Sequence, residues 1–195
     1  MGLSLIVAPA VEPVTLAETK AHLRVDAATD DGLIAGYIQA AVRAAENYIR
    51  GKLIRQTWDY TVDYCWPIVS VKGMTRYRIE LPLHPVMSVS SVSYVDDNGA
   101  TQTLSSLLYT VRTDGPVAYV EKAYDSTWPT IRRVPAAITV RFTVGYDAED
   151  VPDEIRTAIL LHVEALYDRC DEDAMKACEA CRNALLDPYR ILRVS

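Results

Sequence analysis

Hydrophobic residues recur along this chain with two different periods. Between Thr29 and Gly51, Leu33, Ile34, Tyr37, Ile38, Ala41, Val42, Ala45, Tyr48 and Ile49 follow helical spacing along one stripe. The spacing predicts a helix over Asp31–Arg50. Thr29, Asp30 and Asp31 offer cap oxygens and negative charge to its positive end, and Gly51 is expected as the left-handed residue that closes it. Gln39, Arg43, Glu46, Asn47 and Arg50 occupy the opposite face, which is therefore wet or meets something polar. A shorter helix is announced upstream by Thr15-Leu-Ala-Glu18, where hydroxyl and carboxylate can each satisfy the other's backbone amide. It runs through Ala21 and Leu23 and stops near Asp26.

From Arg55 the period falls to two. Trp58, Tyr60, Val62 and Tyr64 alternate with Thr57, Asp59, Thr61 and Asp63, the pattern of a half-buried strand. Further strands are expected at Arg76–Leu81, Ser88–Val95, Thr101–Leu104, Tyr109–Arg112, Val117–Val120 and Ile138–Tyr146. Asp96-Asp-Asn-Gly99 and Asp114-Gly115 supply turn chemistry between them. Helical spacing returns after Val151-Pro152 with Ile155, Ile159, His162, Val163, Leu166 and Cys170, predicting a helix over Asp153–Arg169. A last helix is expected over Ala174–Leu186, stopped by Asp187-Pro188. The expected class is α+β: terminal amphipathic helices packed as one small helical unit (1–54 with 148–195) and an antiparallel β insertion (55–147) between them.

Composition narrows the picture. The 195 residues are half apolar and 24% charged, enough to bury a real core. Twenty Lys and Arg against 26 Asp and Glu give a formal net charge of −6, which disfavours a protein that grips phosphates over its whole surface. No apolar run approaches the roughly 18 to 20 residues that span a bilayer. The Leu3–Ala8 run is too short for a leader and has no basic residues ahead of it, and Ile6 stands where a myristoylation motif needs Ser or Thr. A soluble cytosolic chain with its four cysteines reduced is the expectation. Twelve Tyr against a single Phe fits either half-buried strands or surfaces covered by a partner.

Candidate chemistry is sparse. His162, Cys170, Cys178 and Cys181 invite a zinc reading, but structural zinc sites place paired ligands at a tight knuckle, and here the spacing crosses a helix break at Asp171-Glu-Asp173. A redox pair needs a helix N-terminus to lower its thiol pKa, whereas Cys178 and Cys181 are embedded mid-helix. No Ser lies in a nucleophile elbow, and His22, His84 and His162 have no recognisable nucleophile or acid beside them in sequence. The eight glycines form no phosphate loop, and the acids around Asp147–Asp150 and Asp171–Asp173 read as helix caps. No catalytic, cofactor or metal residues are assigned, and the chain is not read as an enzyme. A small metal protein using His162 with Cys170, Cys178 and Cys181 stands as the rival reading.

Several segments together resemble a known family. They are Pro9-Ala-Val-Glu-Pro-Val-Thr-Leu-Ala-Glu18, Lys20-Ala-His-Leu-Arg-Val-Asp26, Leu81-Pro-Leu-His-Pro-Val86, Arg141-Phe-Thr-Val-Gly-Tyr146 with Val151-Pro152, and Leu185-Leu-Asp-Pro-Tyr-Arg190. Their order and spacing are similar to the head–tail connector (adaptor) proteins of tailed phages, including the larger relatives with a β insertion and those of gene transfer particles. The resemblance implies a virion neck protein, assembled in the host cytoplasm. It implies a homo-oligomeric ring, typically of twelve copies, beneath the portal protein. Such a ring extends the DNA channel without specific DNA binding, contacts no membrane, and docks a tail-side completion or terminator protein. A tail-completion protein of the same particle is the alternative within this class. The Tyr189–Val194 segment (Tyr189, Arg190, Ile191, Leu192, Arg193, Val194) is the expected portal contact, folding back on its own subunit being the other possibility. Arg43, Glu46, Arg50, Glu154 and Arg169 are the expected subunit contacts.

Overall fold

A computed structural model describes residues 1–71, 74–115, 117–168 and 172–191. The chain divides into two compact units, one of Met1–Ala8 with Arg55–Gly145 and one of Pro9–Ile54 with Tyr146–Ser195.

The second unit is helical. Helix α1 (Leu16–Leu23) begins with the expected capping box: the Glu18 amide donates to Thr15 Oγ1 at 3.1 Å, and the Thr15 amide donates to Glu18 Oε2 at 2.7 Å. Helix α2 (Asp31–Ile49) packs against α3 (Asp153–Tyr167), and α4 (Glu172–Leu186) leads into a 3₁₀ turn at Asp187–Tyr189. Ile34, Ile38, Ala41, Ala45 and Ile49 are buried against Ile155, Ala158, Ile159, Val163 and Leu186. The buried stripe is narrower than the sequence predicts, since Leu33 is 49% exposed.

The end of α2 also differs from expectation. The left-handed residue is Arg50 (φ 60°), one position before Gly51. The Gly51 amide donates to the Glu46 carbonyl at 3.1 Å, and the Glu46 carboxylate accepts from the Leu53 amide at 3.1 Å and from Lys52 Nζ at 2.6 Å. These bonds hold an Arg in a conformation that costs a residue with a Cβ about 1–2 kcal/mol. Helix α4 begins two residues before the predicted Ala174; Arg169 and Cys170 lie outside the described residues.

Among the described residues the first unit contains nine strands: β1 (Gly2–Val7), β2 (Gln56–Val62), β3 (Ile68–Val71), β4 (Met74–Glu80), β5 (Val86–Val95), β6 (Thr101–Thr103), β7 (Tyr109–Arg112), β8 (Tyr119–Lys122) and β9 (Ile138–Val144). They form an antiparallel sheet of order β1-β2-β9-β5-β6 and a four-stranded antiparallel sheet of order β3-β4-β8-β7. In β9, Ile138, Val140, Phe142 and Val144 are fully buried while Thr139, Arg141 and Thr143 face the other way. That buried face joins Val62, Val86 and Val92 of its own sheet with Ile79 and Val120 of the other in one core. On the outer face Arg141 makes a two-pronged contact with its cross-strand partner Asp59, both bonds at 2.8 Å.

The predicted strands are found with shifted ends. The last stops at Val144 because Gly145 takes φ 99°, and Tyr146 instead donates its amide to the Leu53 carbonyl at 3.0 Å in the helical unit. The Val117–Val120 run moves to Tyr119–Lys122. Strands β1 and β3 were not expected. Among the described residues no helix is long and apolar enough to cross a membrane.

Phe142 has no exposed surface and sits in the strand that β2 and β5 both pair with. Truncating it to Ala is expected to cost about 3–5 kcal/mol. Chemical denaturation followed by tryptophan fluorescence checks this, because all three Trp lie in the β unit.

Candidate interaction surfaces

One residue from each of the two sets of expected contacts meets the other. Tyr189, expected to face the portal, donates its phenol to Oε2 of Glu154, expected to face a neighbouring subunit, at 2.9 Å. Tyr48 of α2 donates to Asp187 Oδ1 at 2.6 Å, and the Arg190 guanidinium lies 5.0 Å over the Tyr48 ring. The 3₁₀ turn, a single turn that cannot bury a face of its own, is thus clipped at both sides to the helical unit. Tyr189 is half-buried against the α2–α3 core and Arg190 is exposed. Tyr189 thus packs against its own helical unit. Ile191 is half-buried, and Leu192, Arg193 and Val194 lie outside the described residues.

Electrostatics follow from these bonds. Burial and the Glu154 acceptor push the Tyr189 phenol up to about 12. The backbone amide of its own residue at the start of α3, then the Tyr189 hydroxyl, hold the Glu154 carboxyl below the ordinary carboxylate range. Tyr167 repeats the motif, donating to Asp30 Oδ2 at 2.8 Å.

Of the remaining candidates, Arg43 and Arg50 are exposed and make no ion pair among the described residues. Glu46 is not a free surface group, since its carboxylate is committed to the Lys52–Leu53 turn. Arg169 lies outside the described residues. The charge is unevenly shared: the β unit carries nine basic and eight acidic residues, the helical unit eleven and 18. The excess of acid therefore belongs to the helices.

The residues of the zinc reading are held in other ways. His162 Nδ1 lies 3.3 Å from Arg182 Nη1, a donor, so this nitrogen is the acceptor of the pair. Burial first, and then the Arg182 charge, lower the His162 pKa. Arg182 is itself buried and also bonds Glu179 and Asn183. The Cys178 thiol donates to the Leu161 carbonyl at 3.3 Å, and Cys181 is exposed. A guanidinium against the imidazole opposes a second cation at that nitrogen. No group of three or more His, Cys, Asp or Glu able to hold a metal occurs among the described residues.

Two surfaces were not foreseen. All six residues of β1 are exposed, and among the described strands only β2 pairs with it. Its sequence, Gly-Leu-Ser-Leu-Ile-Val, has no buried face and so no period-two signal; its lack of charge was the available clue. The second surface is an open groove lined by Arg76, Tyr77, Arg112, Lys122 and the exposed Tyr124. Its cations are matched: Arg76 to Glu121 at 2.8 Å, Arg112 to Asp114 at 3.8 Å, and Lys122 to the Ser126 carbonyl at 2.6 Å.

Residues 13–81 match the family model described as phage gp6-like head-tail connector protein. No curated protein matches the chain. Among solved structures, the fold is similar to a chain in "Virion of native gene transfer agent (GTA) particle", with TM-score 0.75 and 22% identity, covering 100% of this chain and 98% of that one. It is similar with the same identity and coverage, and TM-score 0.73, to chains in the neck of the native GTA particle computed with C12 symmetry and of the empty particle computed with C6 symmetry.

The clip at Tyr189 should respond to pH at both ends of the scale. Because the folded Glu154 carboxyl is lowered, its contribution is present above the ordinary carboxylate pKa and is lost as pH falls through the folded value. Because the folded Tyr189 phenol is raised, its contribution is complete below the ordinary tyrosine pKa and is lost as pH rises towards about 12. Hydrogen exchange or NMR of the Asp187, Tyr189 and Arg190 amides should show strongest protection between these limits, and Tyr189→Phe should remove the Tyr189 contribution at the alkaline end.

Proposed function

We propose that this chain, a phage head–tail connector by its family match and its fold, works as one subunit of a ring in the neck of a tailed phage or phage-like gene transfer particle. The ring, of twelve copies, sits beneath the portal, extends the DNA channel and gives the tail-side completion protein its docking surface. Assembly takes place in the host cytoplasm before the subunit becomes part of the virion. The observation that carries this reading is the correspondence of fold along the whole chain with a chain of a GTA particle neck computed with C12 symmetry.

The physical chemistry agrees with such a role. Copies related by rotation need two different, complementary side surfaces. Arg43 and Arg50 on the outer side of α2 are exposed and unpaired among the described residues, while the helical unit as a whole has an acidic excess available to them in a neighbour. A conduit that lets DNA slide must not hold it, and each phosphate neutralised by a cation adds affinity. An acidic helical unit and a groove whose cations are already matched both satisfy that condition.

At the C-terminus the portal contact is assigned to Arg190, Ile191, Leu192, Arg193 and Val194, launched from Tyr189. The Tyr189–Glu154 and Tyr48–Asp187 bonds hold the turn that immediately precedes these residues in sequence. Arg169 is retained as a subunit contact.

Particle imaging with this chain located is the direct test. Twelve copies directly under the portal are expected; density at the tail tube instead would select the tail-completion reading. Deleting Arg190–Ser195 should abolish capture of the chain by its portal while leaving a cooperative thermal melt. Undiminished capture would remove these residues from the portal contact.

A further inference from the structure

The strand order places β1 and β6 at the two ends of one five-stranded sheet. Every neighbouring pair in that sheet is antiparallel, so β1 and β6 run in the same direction. Each outer edge carries backbone amides and carbonyls that no described strand satisfies.

Soluble proteins defend such edges with Lys, Pro, an inward charge or a covering loop. Neither edge here has a charge or a Pro. Gly2–Val7 is uncharged and Thr101–Leu108 is uncharged, in a chain that is 24% charged. Both β1 and β6 are exposed along their full length. Leu3, Leu5, Ile6 and Val7 of β1 are 40–55% exposed, and Thr101, Gln102 and Thr103 of β6 are exposed and neutral.

We infer that the sheet continues from copy to copy, β1 of one subunit adding in parallel beside β6 of the next. The occupant is a second copy of this chain because the two edges fit each other: both are uncharged, they run in the same direction within one sheet, and they are not the same surface. A contact between two different surfaces is the head-to-tail kind that closes into a ring, whereas an edge pairing with its own twin would stop at a two-fold dimer. Main-chain bonding would supply the pairing, and the apolar side chains its desolvated flank. The inference rests on the ring reading above and adds to it which elements make the ring.

Two edge variants of the full chain test it: Leu3→Lys with Leu5→Lys on β1, and Thr101→Lys with Thr103→Lys on β6. All four side chains are solvent-facing, so thermal melting followed by circular dichroism should be unchanged. Should a double variant fail to fold, the single changes Leu5→Lys and Thr103→Lys replace it. Sedimentation velocity over a concentration series should show rings or open oligomers for the natural chain and only monomer for each variant. An equimolar mixture of the two variants should give a one-to-one dimer and nothing larger, since one intact edge of each kind remains.

A natural chain that stays monomeric throughout, rings that survive in either variant, or a mixture that stays monomeric would each overturn the inference. A β6 variant that still forms a two-fold dimer would replace it with β1–β1 pairing. Rings that survive both variants leave the connector reading standing, because that reading is decided separately by where particle images place the chain.

Discussion

Every peptide unit taken out of water must find a hydrogen-bond partner, and an open sheet leaves this requirement unmet along two lines. In this chain those lines are β1 and β6, the first and last members of the larger sheet. Between them β2, β9 and β5 are bonded on both sides and bury Phe142, Val140 and Ile138. The interior of the sheet is therefore finished within one subunit while its margins are not. The margins are where the unmet requirement is written in backbone chemistry.

The helical unit meets a different demand. It carries most of the acid in the chain, yet its surface must be ordered enough to present fixed contacts. Three tyrosines answer this. Tyr48, Tyr167 and Tyr189 donate to Asp187, Asp30 and Glu154. A phenol is a neutral donor, so each carboxylate is held in place without losing its negative charge. All three phenols are pushed upward in pKa by these acceptors or by burial, which keeps them protonated and donating across the physiological range. Lysine in the same positions would order the acids but erase the negative field.

Much of this was legible from residue patterns. The Thr15–Glu18 box and the α2 and α3 stripes were readable because local spacing alone determines them, and the Trp58–Tyr64 alternation marked β2 because one of its faces is buried. The β1 strand escaped because a strand exposed on both faces has no periodic signature. The end of α2 was misplaced by one residue because the Glu46 carboxylate, anchoring Leu53 seven positions on, stabilises Arg50 where a glycine was expected. The same bond removed Glu46 from the surface candidates. The Tyr189–Glu154 pair spans 35 residues and the Arg182–His162 pair 20, distances at which only tertiary packing brings groups together. At the C-terminus sequence spacing could not tell that the Tyr189 phenol would bond Glu154.

The order of strands in space has a bearing on how the protein is made. Strand β9 is the last of the nine to leave the ribosome, yet it occupies the middle of its sheet, pairing Phe142 with Trp58 on one side and Val89 on the other. Until it arrives, β2 and β5 have nothing between them, and closing the loop back to β2 carries the entropic cost of a long-range contact. Synthesis of the β insertion is thus followed by a single late zipping event. A chain interrupted between Thr103 and Ile138 would hold β1–β2 and β5–β6 as two separate ribbons, each with an open edge where β9 belongs.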